Sequence, residues 1–223
     1  MLHKCAALLK NESFIYLADY AAMPFGEKSE DEVRRIAVKN AERLVEMNCK
    51  AIVVACNTAT AVGIEEIRRL FPNIISIGLE PAVKPCVSEL TGGYAVALVT
   101  PATAKSRRFN ELMSVYGDNT VAVRCPSLAK SIEDNIFSLE NIRAEVYDIL
   151  SGYRGAEAVV LGCSHYSYIS NMIKDYYGGK VKIYDGADAL ALNLKRRLEW
   201  EYLISDCAER SIRFYSTKRK FGQ

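Results

Sequence analysis

One stretch of this chain can be laid over another. Displaced by 107 positions, the separation of Cys56 from Cys163, the segment AIVVACNTATAVGIEEIRRLFPNIISIG (51–78) lies without a gap over AVVLGCSHYSYISNMIKDYYGGKVKIYD (158–185). A short apolar run falls on a short apolar run, Cys56 on Cys163, and an amphipathic stretch on an amphipathic stretch. Identity is sparse, so hydrophobic pattern carries most of the match. The same offset sets FIYLA (14–18) over VAVRC (121–125). A chain that repeats one pattern folds as two similar lobes, which limits its architecture more than any other feature here.

Within each copy the pattern alternates. Phe14 to Ala18, Ala51 to Ala55, Ile74 to Gly78, Tyr94 to Val99, Thr120 to Val123, Ala158 to Gly162 and Val181 to Tyr184 read as buried strands rich in Val and Ile. Helical patterns lie between them. In the clearest, Ser29 to Met47, Ser29 and Glu32 form a capping box, and Val33, Ile36, Ala37, Leu44 and Val45 recur at helical spacing. The expectation is an α/β fold of two pseudo-symmetric lobes, each a mainly parallel sheet flanked by helices, with the active site in the cleft between them. The first lobe comprises 1–91 plus 186–223, with a helix over Ala187 to Leu198 packing back; the second spans 92–185.

Composition excludes several classes. The 223 residues are half hydrophobic, enough for a substantial core. No apolar run approaches the roughly 20 residues of a membrane-crossing helix, and no signal-peptide pattern opens the chain. It therefore reads as a cytoplasmic protein. With 29 Lys and Arg against 27 Asp and Glu there is no field to recruit nucleic acid, and Lys218 to Lys220 read as a solvated end. The seven cysteines, at 5, 49, 56, 86, 125, 163 and 207, include no Cys-x-x-Cys pair. They do not suggest a zinc ribbon or a disulfide framework, and most read as small core residues.

Cys56 and Cys163 stand apart because each ends an equivalent strand, where open α/β sheets bind ligands. If the lobes face each other, two sulfurs enter one cleft from opposite sides. Inverting a carbon beside a carboxylate without a cofactor needs that pair, one group removing a proton from one face and another delivering a proton to the other. A thiol, with an ordinary pKa of about 8.5, can serve in both roles when nearby donors lower it. Asn57 and Thr58 follow the first thiol, Ser164 and His165 the second. Each group stands where a helix should begin, so that free N–H groups could hold a carboxylate; Thr58 and Ser164 also suit helix caps. His165, one of two histidines, could assist Cys163 or be a structural, hydrogen-bonded residue.

Cys56-Asn57-Thr58 and Leu161-Gly162-Cys163-Ser164-His165-Tyr166 resemble the two cysteine motifs of cofactor-independent glutamate racemase, in the aspartate/glutamate racemase superfamily. Ile15 to Asp19, Met23 to Ser29 (similar to a Pro-Tyr-Gly loop), Glu80-Pro81-Ala82 and Thr100 to Thr103 extend the resemblance over nearly the whole chain. His165 is similar to the glutamate branch, since an acidic residue is typical of the aspartate branch. The resemblance implies conversion of L-glutamate to D-glutamate for peptidoglycan, without pyridoxal phosphate or metal. Cys56 and Cys163 would be the acid/base pair and His165 the helper of Cys163. Phe25, Gly26, Asn57, Thr58, Thr100, Thr103 and Ser164 would cradle the substrate. Phe25 stands for the usual Tyr, and Ser164 for the usual Thr. Ser167-Tyr168 replaces Pro-Leu, so the helix after the second thiol should enter at a different angle. A homodimer is left open.

Family members open with a strand ending in Asp-Ser-Gly, which has no match before Met1-Leu2-His3. The repeat agrees, because Tyr94 to Thr100 shifted back by the same offset falls before the first residue, while Met1 to Lys10 matches the next helix, Arg108 to Gly117. The first lobe is thus expected without that strand. Other readings stay open: an inactive truncated ligand binder, a metal site of Cys56, Cys163 and His165, or an isomerase or decarboxylase of another small carboxylate.

Overall fold

A computed structural model describes residues 1–207 and 209–217. In chain order its elements are α1 (Leu2–Leu8), β1 (Phe14–Ala18), α2 (Glu30–Glu46), β2 (Ala51–Val54), α3 (Asn57–Leu70), β3 (Ile75–Gly78), α4 (Val83–Ser88) and β4 (Ala95–Val99). They continue with α5 (Pro101–Lys105), α6 (Arg107–Tyr116), β5 (Thr120–Arg124), α7 (Leu128–Asp134), α8 (Arg143–Leu150) and β6 (Ala158–Gly162). The chain ends with α9 (Ser170–Tyr176), β7 (Lys182–Tyr184), α10 (Ala187–Trp200) and β8 (Ile212–Ser216).

Every ladder among the described residues is parallel. The four-stranded sheet runs β5-β4-β6-β7, and two shorter sheets pair β1 with β8 and β2 with β3. This is the α/β architecture expected from the alternation, and all seven expected strands form. β4 and β6 are buried along their whole length, which explains their unbroken apolar runs. Side chains from their two faces enter separate clusters, Leu98 and Leu161 against α7, α8 and α9, and Val99 and Val160 against α4 and α6. In the first lobe α2 and α3 cover one face of β2, while α1 and α10 pack with β3.

The repeat is visible in the sheets and has two irregularities. β5 and β6 both pair with β4, whereas their counterparts β1 and β2 share no ladder among the described residues. A carboxylate–ammonium contact between buried Glu12 and Lys50, at 2.8 Å, ties the entrances to β1 and β2. The counterpart of α3 is also split, into a 3-10 turn (Ser164–Ile169) and α9. The tighter turn carries Tyr166 wholly into the core. The cap reading of Thr58 and Ser164 is corrected, because Cys56 and Cys163 themselves hold the N-cap positions and the two hydroxyl residues lie one or two places inside. β8 answers to no strand in the sequence reading, and Lys218 to Lys220 lie outside the described residues. No helix among the described residues is long and apolar enough to cross a membrane.

Candidate active site

Both thiols stand where a buried strand gives way to a helical turn. Cys56 follows β2 with extended backbone (φ −118°, ψ 121°), and Cys163 follows β6 in nearly the same conformation (φ −145°, ψ 137°). Each sulfur therefore lies beside the first N–H groups of the turn that its residue opens. Those of Thr58 and Ala59 act on Cys56, and those of His165 and Tyr166 on Cys163. Burial outweighs these donors and raises both thiols above the ordinary range, Cys163 to about 12. The neighbouring Cys56 raises Cys163 further.

A short polar chain leads away from the second thiol. His165 Nδ1 lies 3.8 Å from Cys163 Sγ, and its Nε2 lies 3.2 Å from Glu133 Oε2 on α7. The carboxylate orients the ring and favours a proton on Nε2, leaving Nδ1 free to exchange one with the sulfur. On the other side three buried hydroxyls meet. Thr58 Oγ1 is 2.9 Å from Thr100 Oγ1 and 3.3 Å from Thr103 Oγ1, and Thr100 donates to Thr103 at 3.0 Å. Gly26 closes this side, since a Cβ there would stand 3.1 Å from the Thr100 side chain. A larger residue would push the loop away from Thr100.

Most of these groups line one cavity that is open to solvent. Of the residues singled out in the sequence, Cys56, Cys163, His165, Phe25, Gly26, Thr58 and Thr100 line it. Three do not. Thr103 stands behind Thr58 and Thr100, and Ser164 is absent from the cavity wall. Asn57 points into a smaller neighbouring space beside Glu80 and Arg108, and both of its buried amide atoms lack a partner. The sequence reading missed Tyr20, Met23, Pro24, Ala129, Lys130, Glu133 and Asp134, which also line the cavity. Glu133 is the most consequential, and a lone acidic residue on a short amphipathic helix carries no local signal. Among the described residues no group of three or more His, Cys, Asp or Glu side chains is placed to hold a metal ion.

The family model for Asp/Glu/Hydantoin racemase matches residues 1–194. A glutamate racemase from Clostridium perfringens is 35% identical over 210 residues, covering 92% of this chain and 81% of its own. Another, from Ectopseudomonas mendocina, is 32% identical over 225 residues, covering 97% and 84%. Among solved structures, glutamate racemase isoform RacE1 from Bacillus anthracis superposes with a TM-score of 0.87 at 25% identity, over 98% of this chain and 84% of that one. A glutamate racemase from Francisella tularensis, solved in complex with D-glutamate, superposes with a TM-score of 0.84 at 25% identity, over 99% and 84%. A duplicated α/β fold, paired thiols in one cleft and these likenesses lead to one conclusion: the chain belongs to the Asp/Glu/Hydantoin racemase family, alongside its glutamate racemases.

Proposed function

We propose that this protein interconverts L-glutamate and D-glutamate by a two-thiol acid/base mechanism, supplying D-glutamate for peptidoglycan synthesis. The observation that carries the reading is that Cys56 and Cys163, equivalent in the repeat, open onto the same cavity. The sulfur that starts as thiolate removes the proton from Cα, and the electron pair passes into the adjacent carboxylate. The sulfur that starts as thiol then gives its proton to the opposite face of the carbon. At the end the two sulfurs have exchanged protonation states, so the reverse reaction begins where the forward one stops.

Binding must also prepare the base. Both thiols are held protonated by burial, so one must lose a proton before it can act. His165, oriented by Glu133, is the acceptor for Cys163. The start of α3 and the hydroxyls of Thr58 and Thr100 supply donors for the substrate carboxylate, where the carbanion charge accumulates. Phe25 and Gly26 also line the cavity, and the Thr103 hydroxyl backs Thr58 and Thr100. Chiral analysis of L-glutamate incubated with the purified protein tests the reading. D-glutamate should accumulate until the enantiomers are equal; a folded protein that leaves either enantiomer unchanged would overturn it.

A further inference from the structure

Glutamate brings a second carboxylate, at the end of its side chain, and the thiol chemistry leaves that group without a partner. One wall of the cavity is acidic, with Glu133 and Asp134 side by side at the end of α7. Among the described residues lining the cavity, Lys130 is the one lysine, and no arginine joins it. Lys130 stands one helical turn before Asp134, and its ammonium contacts that carboxylate. Both side chains are about half exposed, at 55% and 54%. An exposed pair at this spacing is held weakly, so the ammonium is placed at the cavity yet easily transferred to another carboxylate.

We propose that Lys130 is a specificity-determining residue, which leaves Asp134 to bind the side-chain carboxylate of the substrate and so selects dicarboxylic amino acids. The inference rests on the racemase reading above. No proton transfer is assigned to Lys130. It supplies charge for binding and is not a catalytic residue. Because Asp134 competes for the same ammonium, removing its charge strengthens substrate binding.

The test compares wild type, Lys130→Met, Lys130→Arg and Asp134→Asn in steady-state racemisation of glutamate and of glutamine, its uncharged isostere. Lys130→Met should raise the KM for glutamate about tenfold or more, the size expected for losing one charge-assisted hydrogen bond. Its kcat should change less, and the preference for glutamate over glutamine should fall by a similar factor. Lys130→Arg should restore most of the loss, and Asp134→Asn should lower KM. An unchanged KM and an unchanged preference in Lys130→Met would overturn the inference. Calorimetric binding of L-glutamate and of D-glutamate separates this result from failure of the racemase reading. A wild type that binds but does not racemise sinks that reading alone, with weaker binding to Lys130→Met still supporting the lysine's role and equal binding refuting it. A wild type that binds neither enantiomer overturns both.

Discussion

Glu133 touches neither sulfur, yet it fixes how the second one works. Its carboxylate holds His165 Nε2 at 3.2 Å, and the ring's other nitrogen faces Cys163 at 3.8 Å. Glu133→Gln keeps the shape but removes the charge that stabilises a protonated ring. It should reduce kcat/KM on the order of tenfold, a fraction of the general acid/base contribution. The equilibrium between mirror images is fixed at one, so steady-state kinetics should show the same factor in both directions. The primary isotope effect should grow in the direction where Cys163 removes the proton; equal effects in both directions would contradict the positioning role. Cys56 and Cys163 were legible because the repeat made them equivalent. Glu133 was not, since its importance depends on α7 lying beside the 3-10 turn that carries His165, a proximity with no local imprint. Asn57 was legible as a residue of the cysteine motif, but motif position did not reveal that its amide turns into the smaller space.

At the scale of elements, capping set several of the boundaries. Ser29 accepts a hydrogen bond from the Glu32 N–H and opens α2, as the capping box required. Ser29→Ala should therefore cost about 1 kcal/mol of folding stability, read from the midpoint of urea denaturation. No measurable shift would show the cap to be idle. Strands buried on both faces, such as β4 and β6, announced themselves through unbroken apolar runs. β8 did not, because all five of its residues are exposed and its backbone pairing with β1 needs no apolar run. The misread caps have a similar cause. Thr58 is a good capping residue by type, but the thiol before it takes the cap position, and the hydroxyl turns instead to Thr100 and Thr103 across the cleft.

At the scale of the molecule, contacts behind the cleft hold the halves together. The hydroxyl cluster joins the start of α3 to the start of α5, and Arg108 on α6 contacts Glu65 at 2.7 Å and also Glu80. Several thiols also lie buried in the protein. Burial pushes Cys86 up to about 11 and Cys125 and Cys163 up to about 12, well above the ordinary thiol value. Below the ordinary value folded and unfolded chains both keep these protons. Between it and the raised values the unfolded chain releases protons that the folded chain retains, so stability falls as pH rises through that window. The urea midpoint should hold from about pH 7 to 9 and decline above it; a midpoint steady to about pH 11 would contradict burial of these thiols.

The central claim is that two thiols on facing lobes work on one carbon. Its most direct test follows solvent deuterium entering the α-position of L-glutamate and D-glutamate, with wild type, Cys56→Ala and Cys163→Ala compared under identical conditions. Wild type should place deuterium in the enantiomer formed by inversion, and each variant should lose racemisation by on the order of a hundredfold or more. Racemisation that survives in either variant would contradict the two-thiol account.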